Sequence, residues 1–147
     1  MTVSYLHLPC GHEPPPSVDR APFKAVVVLE QPTTDAWRAK VSTWLVQNGC
    51  LYMMAWGPDS SAWDDSVDMA NLEAFDFADI PDEHAVMTTW HDHEPLSETF
   101  WFAGRVARHS ELPLQETLII HVGANEQRAS MLQAFARAQD ATDREPA

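Results

Sequence analysis

The stretch Ala25-Val26-Val27-Val28-Leu29, followed by Glu30-Gln31-Pro32-Thr33-Thr34, decides the fold. Its continuous β-branched run predicts a strand buried on both faces, as in a parallel sheet covered by helices. Thr34 can cap a helix over residues 35–48, which Gly49 would end. The apolar positions of that helix recur on one face: Trp37, Val41, Trp44 and Leu45.

Three further apolar runs have the length of strands, namely Cys50–Trp56, Ala85–Trp90 and Thr117–Val122. Helical patterns separate them, and Asn125 can cap a last helix after the fourth run. The order β-α-β-α-β-α-β-α predicts one three-layer α/β domain with a mostly parallel sheet of about four strands. This arrangement is similar to flavodoxin- and Rossmann-like folds, but no glycine-rich nucleotide-binding loop follows the first strand. Phosphate-bearing cofactors are therefore not expected.

The length of 147 residues predicts one domain, over residues 21–139. Residues 1–20, with the run Pro14-Pro15-Pro16, are expected to form an N-terminal arm. Residues 140–147 are polar and predict a flexible tail. The N-terminus lacks the features of a secretory signal, and no apolar run reaches the roughly 18 residues of a membrane span. We therefore expect a cytoplasmic protein that does not enter a membrane, with Cys10 and Cys50 as reduced thiols.

Charge is distributed very unevenly along the chain. The net charge is −13, and residues 41–104 contain no lysine or arginine. Twelve carboxylates lie in that block: Asp59, Asp64, Asp65, Asp68, Glu73, Asp76, Asp79, Asp82, Glu83, Asp92, Glu94 and Glu98. Such a block predicts a basic protein partner and argues against direct binding of nucleic acid, which needs clustered cations.

Polar side chains follow several of the predicted strands. In an open parallel sheet, ligands bind beyond the carboxyl ends of the strands, so these side chains are candidates for one site. The candidate binding residues come from two of the strand ends: Trp56, Asp59, Trp63, Asp64, His91, Asp92, His93 and Glu94. A simpler interpretation makes His91–Glu94 a polar loop whose carboxylate caps the next helix.

Metal binding and catalysis are alternatives at the same place. His91 and His93 have a spacing seen among metal ligands, and with Asp59 or His121 they would complete a divalent-metal site. If the chain is an enzyme, the expected reaction is metal-dependent hydrolysis, with His91, Asp92 and His93 as the catalytic group. No complete nucleophile or cofactor motif is present, so no catalytic residue and no cofactor is assigned otherwise.

The segments Trp56-Gly-Pro-Asp59, Trp63-Asp-Asp-Ser66 and Thr88-Thr-Trp-His-Asp92 resemble a small bacterial family of unknown function. The resemblance covers about residues 25–122 and implies no activity. Three hypotheses follow from the residues themselves. The first is a non-enzymatic acidic binding module that engages a basic partner, by analogy with immunity and phage-defence accessory proteins, which are often of this size and charge. The others are the metal-dependent hydrolase and a sensor of small molecules in the same crevice.

Overall fold

Five parallel strands form one sheet in the order β1-β5-β2-β3-β4 in the computed structural model, which describes residues 2–140. The strands are β1 (Thr2–His7), β2 (Phe23–Leu29), β3 (Cys50–Trp56), β4 (Met87–His91) and β5 (Glu116–Val122). The helices are α1 (Asp35–Gln47), α2 (Ser60–Ala74), α3 (Leu96–Arg105) and α4 (Arg128–Gln139), with a 3₁₀ turn at Asp82–His84. No helix within residues 2–140 combines the length and the apolar character needed to cross a membrane.

The three-layer α/β architecture predicted from the sequence is confirmed. β2 lies in the middle of the sheet, and all seven of its residues are buried. One face of the sheet packs against α1 and α2, through side chains such as Trp37 and Val67. The other face packs against α3 and α4, through Phe100 and Phe135. Burial on both faces explains why the sequence of β2 is apolar without alternation.

The number of strands differs from the prediction, because the sheet has five strands and about four were expected. The additional strand is β1, which lies within the segment predicted to be an arm and pairs in parallel with β5. After β1, residues 8–20 of the predicted arm lie outside the sheet. They cross α1, where the indole Nε1–H groups of Trp37 and Trp44 donate to the carbonyl oxygens of His12 and Pro15 at 2.8 and 2.6 Å.

The helix ends agree with the sequence at some positions and not at others. The Thr34 hydroxyl accepts the Trp37 N–H at 3.2 Å, as expected for the cap of α1. Asn125 does not cap α4, because that helix begins three residues later and Gln127 occupies its cap position. The tail predicted for residues 140–147 lies, beyond Asp140, outside the described residues.

The two cysteines are free thiols, as predicted, and they differ in exposure. Cys50 is 1% exposed at the start of β3, and burial raises the pKa of its thiol to about 12. Because the thiolate is the reactive form, we expect Cys50 to resist iodoacetamide in the folded protein at pH near 8. Peptide mass spectrometry measures the modification, and the same reaction in denaturant serves as the control. Rapid modification of Cys50 under native conditions would contradict its place in the core.

Candidate functional site

The strand order places a topological switch point between β2 and β5. The connections from β2 to β3 and from β3 to β4 proceed toward one edge, whereas β5 returns to the other side of β2. The loops that leave β2 and β5 therefore go to opposite faces of the sheet, toward α1 and α4. Ligands of open α/β sheets bind at such switch points. The residues that end β2 and β5 consequently lie where a ligand of such a sheet would bind.

A chain of hydrogen bonds joins Tyr5, His121 and Glu30 at this switch point. His121 is completely buried, with Nδ1 at 2.6 Å from the Tyr5 hydroxyl and Nε2 at 2.6 Å from Glu30 Oε1. The Glu30 side chain is 42% exposed, so one end of the chain reaches solvent. The network links β1, β5 and β2. It can also pass a proton between a buried phenol and a surface carboxylate.

The hydrogen-bond partners decide where the protons of this network lie. Burial raises the pKa of Tyr5, so its hydroxyl stays protonated. The hydroxyl oxygen accepts the backbone N–H of Gln127 at 2.9 Å, which leaves its proton for His121 Nδ1. His121 Nδ1 is then an acceptor, and Nε2–H donates to the Glu30 carboxylate.

Two neighbours fix the space around the network. A Cβ at Gly123 would lie 2.6 Å from His121 Nε2 and 2.7 Å from Glu30 Oε1, so only glycine leaves room for this hydrogen bond. His7 donates through Nε2–H to the Gly123 carbonyl oxygen at 2.7 Å, and its ring lies 5.6 Å from that of His121. Both contacts hold the loop after β5 against the ends of β1 and β2.

The predicted cluster around His91 has a different organisation from the one expected. The His91 ring is turned inward, with Nε2 bonded to Thr89 Oγ1 at 2.9 Å and Nδ1 to Glu94 Oε2 at 3.1 Å. The Thr99 hydroxyl also donates to Glu94 Oε2, at 2.8 Å. The Glu94 carboxylate thus ties the end of β4 to α3 through side chains. It does not cap the helix as the simpler interpretation expected, because Pro95 occupies the cap position and no side chain bonds the first backbone N–H groups.

His93 does not join His91, because β4 ends at His91 and the alternation of a strand stops there. The His93 side chain is 92% exposed, and its nearest partner is the adjacent Asp92 at 3.5 Å. His121 and His91 occupy the same row of the sheet, but three strand spacings separate them, about 14 Å. Ligands of one metal ion lie far closer together.

The metal prediction gains no support from this arrangement. No three histidine, cysteine, aspartate or glutamate side chains among residues 2–140 are arranged to hold a metal ion. Asp59, a proposed ligand, is exposed at the start of α2 with φ of 60°. Metal binding by His91, His93, Asp59 and His121 stays a prediction from the sequence.

The two tryptophans proposed to flank a groove serve mainly to hold the fold. Trp63 is completely buried, packed edge-to-face against Trp37 with ring centroids 6.0 Å apart. Asp64, beside it, is 8% exposed. Trp56 is half-buried and donates through Nε1–H to the Glu94 carbonyl oxygen at 2.8 Å. Trp63 therefore offers no surface to a partner.

Comparison with known families agrees with the resemblance seen in the sequence. A family model described as a domain of unknown function, DUF7684, matches residues 3–138. The chain belongs to this family. The match includes β1, which the shorter resemblance left out. No curated protein and no solved structure matches the chain. Family membership thus supports one domain from β1 to α4 and supplies no activity.

The exposed carboxylates gather on another surface, which we call the acidic face. It is formed by exposed residues of α2, of the segment after it and of β4: Asp65, Asp68, Met69, Leu72, Glu73, Asp76, Phe77 and Trp90. The Thr88 hydroxyl donates to Asp68 Oδ1 at 2.9 Å, which joins β4 to α2 across this face. β4 is an edge strand, because it pairs with β3 alone.

The carboxylates of the acidic face repel one another. Burial raises the pKa of Asp68, and the neighbouring carboxylates of Asp64 and Asp65 raise it further, against the lowering effect of the Thr88 hydrogen bond. No residue of the segment 41–104 supplies a cation to offset this repulsion. The ionised Asp68 carboxylate therefore destabilises the free protein, and a nearby positive charge would reduce that destabilisation.

Sequence reasoning missed two groups of residues that the structure brings forward. The first group is Tyr5 and His7, since a strand joined to the next by a segment without a helix gives no β-α alternation to detect. The second group is the exposed apolar part of the acidic face: Met69, Leu72, Phe77 and Trp90. In the sequence, only the alternation of apolar and acidic residues along α2 indicated this second group.

Substitution of Tyr5 tests the switch-point network. Tyr5→Phe removes the donor to His121 Nδ1 and the acceptor of the Gln127 N–H, so we expect a loss of about 1–3 kcal/mol in the free energy of unfolding. Tyr52→Phe is the matched control. Tyr52 is also buried on the α3 and α4 face of the sheet, and its hydroxyl has no comparable hydrogen-bond partners among residues 2–140. It should cost no more than about 0.5 kcal/mol. Equal losses in urea denaturation would show that the network contributes nothing specific.

The pH dependence of stability tests the ionisation of Asp68. Because its pKa in the folded state lies above the ordinary value of 3.8, the ionised carboxylate destabilises the fold. The cost is absent below pH 3.8 and grows as pH rises toward the raised pKa. Asp68→Asn keeps the acceptor for Thr88 and should raise the free energy of unfolding at pH 7, by up to ~1 kcal/mol. The gain should vanish at about pH 3.

Denaturation at both pH values checks this expectation, with Asp19→Asn as the control for removing an exposed carboxylate outside the acidic block. An equal gain in both variants at pH 7 would reflect only the reduction in net charge. A gain from Asp68→Asn that persists at low pH would contradict the assignment to its ionised form.

Proposed function

We propose that this domain is a non-enzymatic binding module whose acidic face engages a basic partner protein. The observation that carries the proposal is the coincidence, on one surface, of unpaired carboxylates, exposed apolar side chains and an edge strand. Each of the three is common on its own. Together they match the composition of an interface with an apolar centre and a charged rim.

The apolar part of the acidic face supports this proposal. Seven large apolar side chains are exposed among the described residues, and five of them lie within residues 69–90. Trp90 is 50% exposed, and Phe77 is 64% exposed. Exposed aromatic residues surrounded by charges are typical anchors of protein interfaces. The same segment that lacks cations thus also contains most of the exposed apolar surface.

The backbone at Phe77 gives a second argument. Asp76 and Phe77 have φ angles of 53° and 62°, in the left-handed region that a bulky side chain rarely adopts. The Phe77 N–H donates to the Leu72 carbonyl oxygen at 2.9 Å, which closes α2 in this strained turn. Core packing does not account for the strain, because the Phe77 side chain points to solvent. The positive φ angles instead close the end of α2 as a left-handed cap, and they leave the Phe77 side chain exposed beside the acidic residues of the helix.

The edge strand indicates how a partner would dock. Within residues 2–140, no strand lies on the outer side of β4, so its backbone groups are available to an extended segment of a partner. Trp90 lies two residues beyond Thr88, about 7 Å closer to the start of α2, since α2 runs antiparallel to β4. An extended basic segment along β4 would therefore pass Trp90 and the carboxylates of α2 on the same face of the sheet.

Titration with an arginine-rich extended peptide tests the proposal. We expect ¹⁵N amide shifts of the protein to map to α2 and β4, and affinity to fall steeply between low and high salt. The double variant Asp65→Asn with Asp68→Asn should weaken binding about tenfold at low salt, since each lost contact removes an attraction near the docking site. Asp19→Asn with Glu126→Gln removes the same charge elsewhere and should change affinity less than about twofold.

A second pair of variants separates specific docking from general attraction between opposite charges. Trp90→Ala should weaken binding by about tenfold or more, as loss of an aromatic anchor does. Val106→Ala removes an exposed apolar side chain outside the acidic face and should leave affinity unchanged. An affinity that does not change with salt concentration would contradict the proposed role of the acidic face. Equal effects of the double charge variants inside and outside that face would contradict it as well.

A further inference from the structure

A cavity of about 510 Å³ lies at the amino-terminal edge of the sheet, beside the end of α3. Its lining includes Lys24 at the start of β2 and the segment Arg108–Gln115 that leads into β5. The volume falls within the range of small-molecule sites in proteins. This cavity lies away from the switch point, which is at the other edge of the sheet, and it includes no residue of the acidic face.

Lys24 is a buried cation in the floor of this cavity. Only 4% of the residue is exposed, and Nζ donates to the carbonyl oxygens of Ala103 and Ala107 at 2.5 and 3.3 Å. These carbonyls belong to the end of α3, where a positive charge is favourable. Two of the three ammonium hydrogens are thereby used, and one remains.

Arg108 adds a second cation to the cavity, and its guanidinium has no partner among the described residues around it. Its guanidinium makes no hydrogen bond or ion pair with any residue in the described range 2–140. Burial lowers the pKa of Lys24, and the charge of Arg108 lowers it further, so the two cations lie close enough to repel each other. Among residues 2–140, no carboxylate contributes to the pKa shift of Lys24.

The wall of the cavity is held in place by His109. Its Nε2–H donates to the Ala85 carbonyl oxygen at 2.8 Å, and Nδ1 accepts the Glu111 N–H at 3.1 Å. Both ring nitrogens are satisfied, and the residue is 9% exposed. The segment after α3 is therefore anchored before any ligand arrives, which lowers the entropic cost of binding.

We propose that this cavity binds a small molecule through an oxyanion group, a carboxylate or a phosphate, held by Arg108 with Lys24 and the Ser110 hydroxyl. The guanidinium has five unused donors in the planar arrangement that matches either group. The ammonium supplies a buried positive charge behind it. Glu111 also lines the cavity, and its carboxylate is suited to receive a donor group on the remainder of the ligand.

The test is titration of the ¹⁵N-labelled protein with inorganic phosphate and, separately, with succinate, at constant ionic strength. We expect saturable amide shifts in residues 108–115 with at least one of the two probes. Arg108→Gln should weaken that affinity about tenfold or more, since it removes charge-assisted hydrogen bonds. Arg128→Gln changes the charge equally at the opposite edge of the sheet, and it should alter the affinity less than about twofold.

The pattern across the probes identifies the ligand class. Saturation by phosphate alone assigns a phosphate-bearing ligand, and saturation by succinate alone assigns a carboxylate-bearing one. Shifts that never saturate, shifts that map away from residues 108–115, or equal effects of Arg108→Gln and Arg128→Gln would each overturn the proposal. None of these results depends on the acidic face, so this site and the proposed protein interface stand or fall separately.

Discussion

The insertion of β5 between β1 and β2 places a completely buried imidazole in the sheet, and much of the structure follows from satisfying it. An unpaired ring nitrogen at that depth would cost about 1–3 kcal/mol. Tyr5 from β1 and Glu30 from the end of β2 supply the two partners of His121. The same Tyr5 hydroxyl accepts the Gln127 N–H just before α4, and the hydrogen bond to Glu30 requires a glycine at Gly123. One buried side chain therefore fixes the positions of β1, of the loop after β5 and of the start of α4.

The fold class followed directly from the sequence, because β2 and β5 each contain a continuous apolar run and helical patterns fill the spaces between the strands. β1 could not be recognised in the same way, since residues 8–22 join it to β2 without a helix. The site was predicted less well. The polar ends of strands were identified correctly, but strand order decides which of them meet. His121 meets Glu30 because β5 is next to β2, and it lies about 14 Å from His91 because β2 and β3 intervene.

Charge divides the molecule into surfaces of opposite character. The acidic face lies at the β4 edge, on α2 and the segment after it, and Asp68 records the repulsion within it. Lys24 and Arg108 lie together at the amino-terminal edge of the sheet, near the end of α3. An anion would be repelled by the first surface and attracted to the second, and a cation would behave in the opposite way. Two ligands of opposite charge can therefore occupy the domain without competing for one surface.

The same carboxylates also bear on which partner the edge strand selects. An unprotected edge strand invites pairing with another copy of the chain, and charged side chains are a common protection. Two copies that approached through β4 would bring Asp65, Asp68 and their equivalents together without an intervening cation, so repulsion opposes that pairing. A basic segment meets no such barrier and gains the attraction instead. Under the proposed function, one set of charges thus disfavours self-association and favours a partner of the opposite sign, which is how specificity arises from differences in affinity.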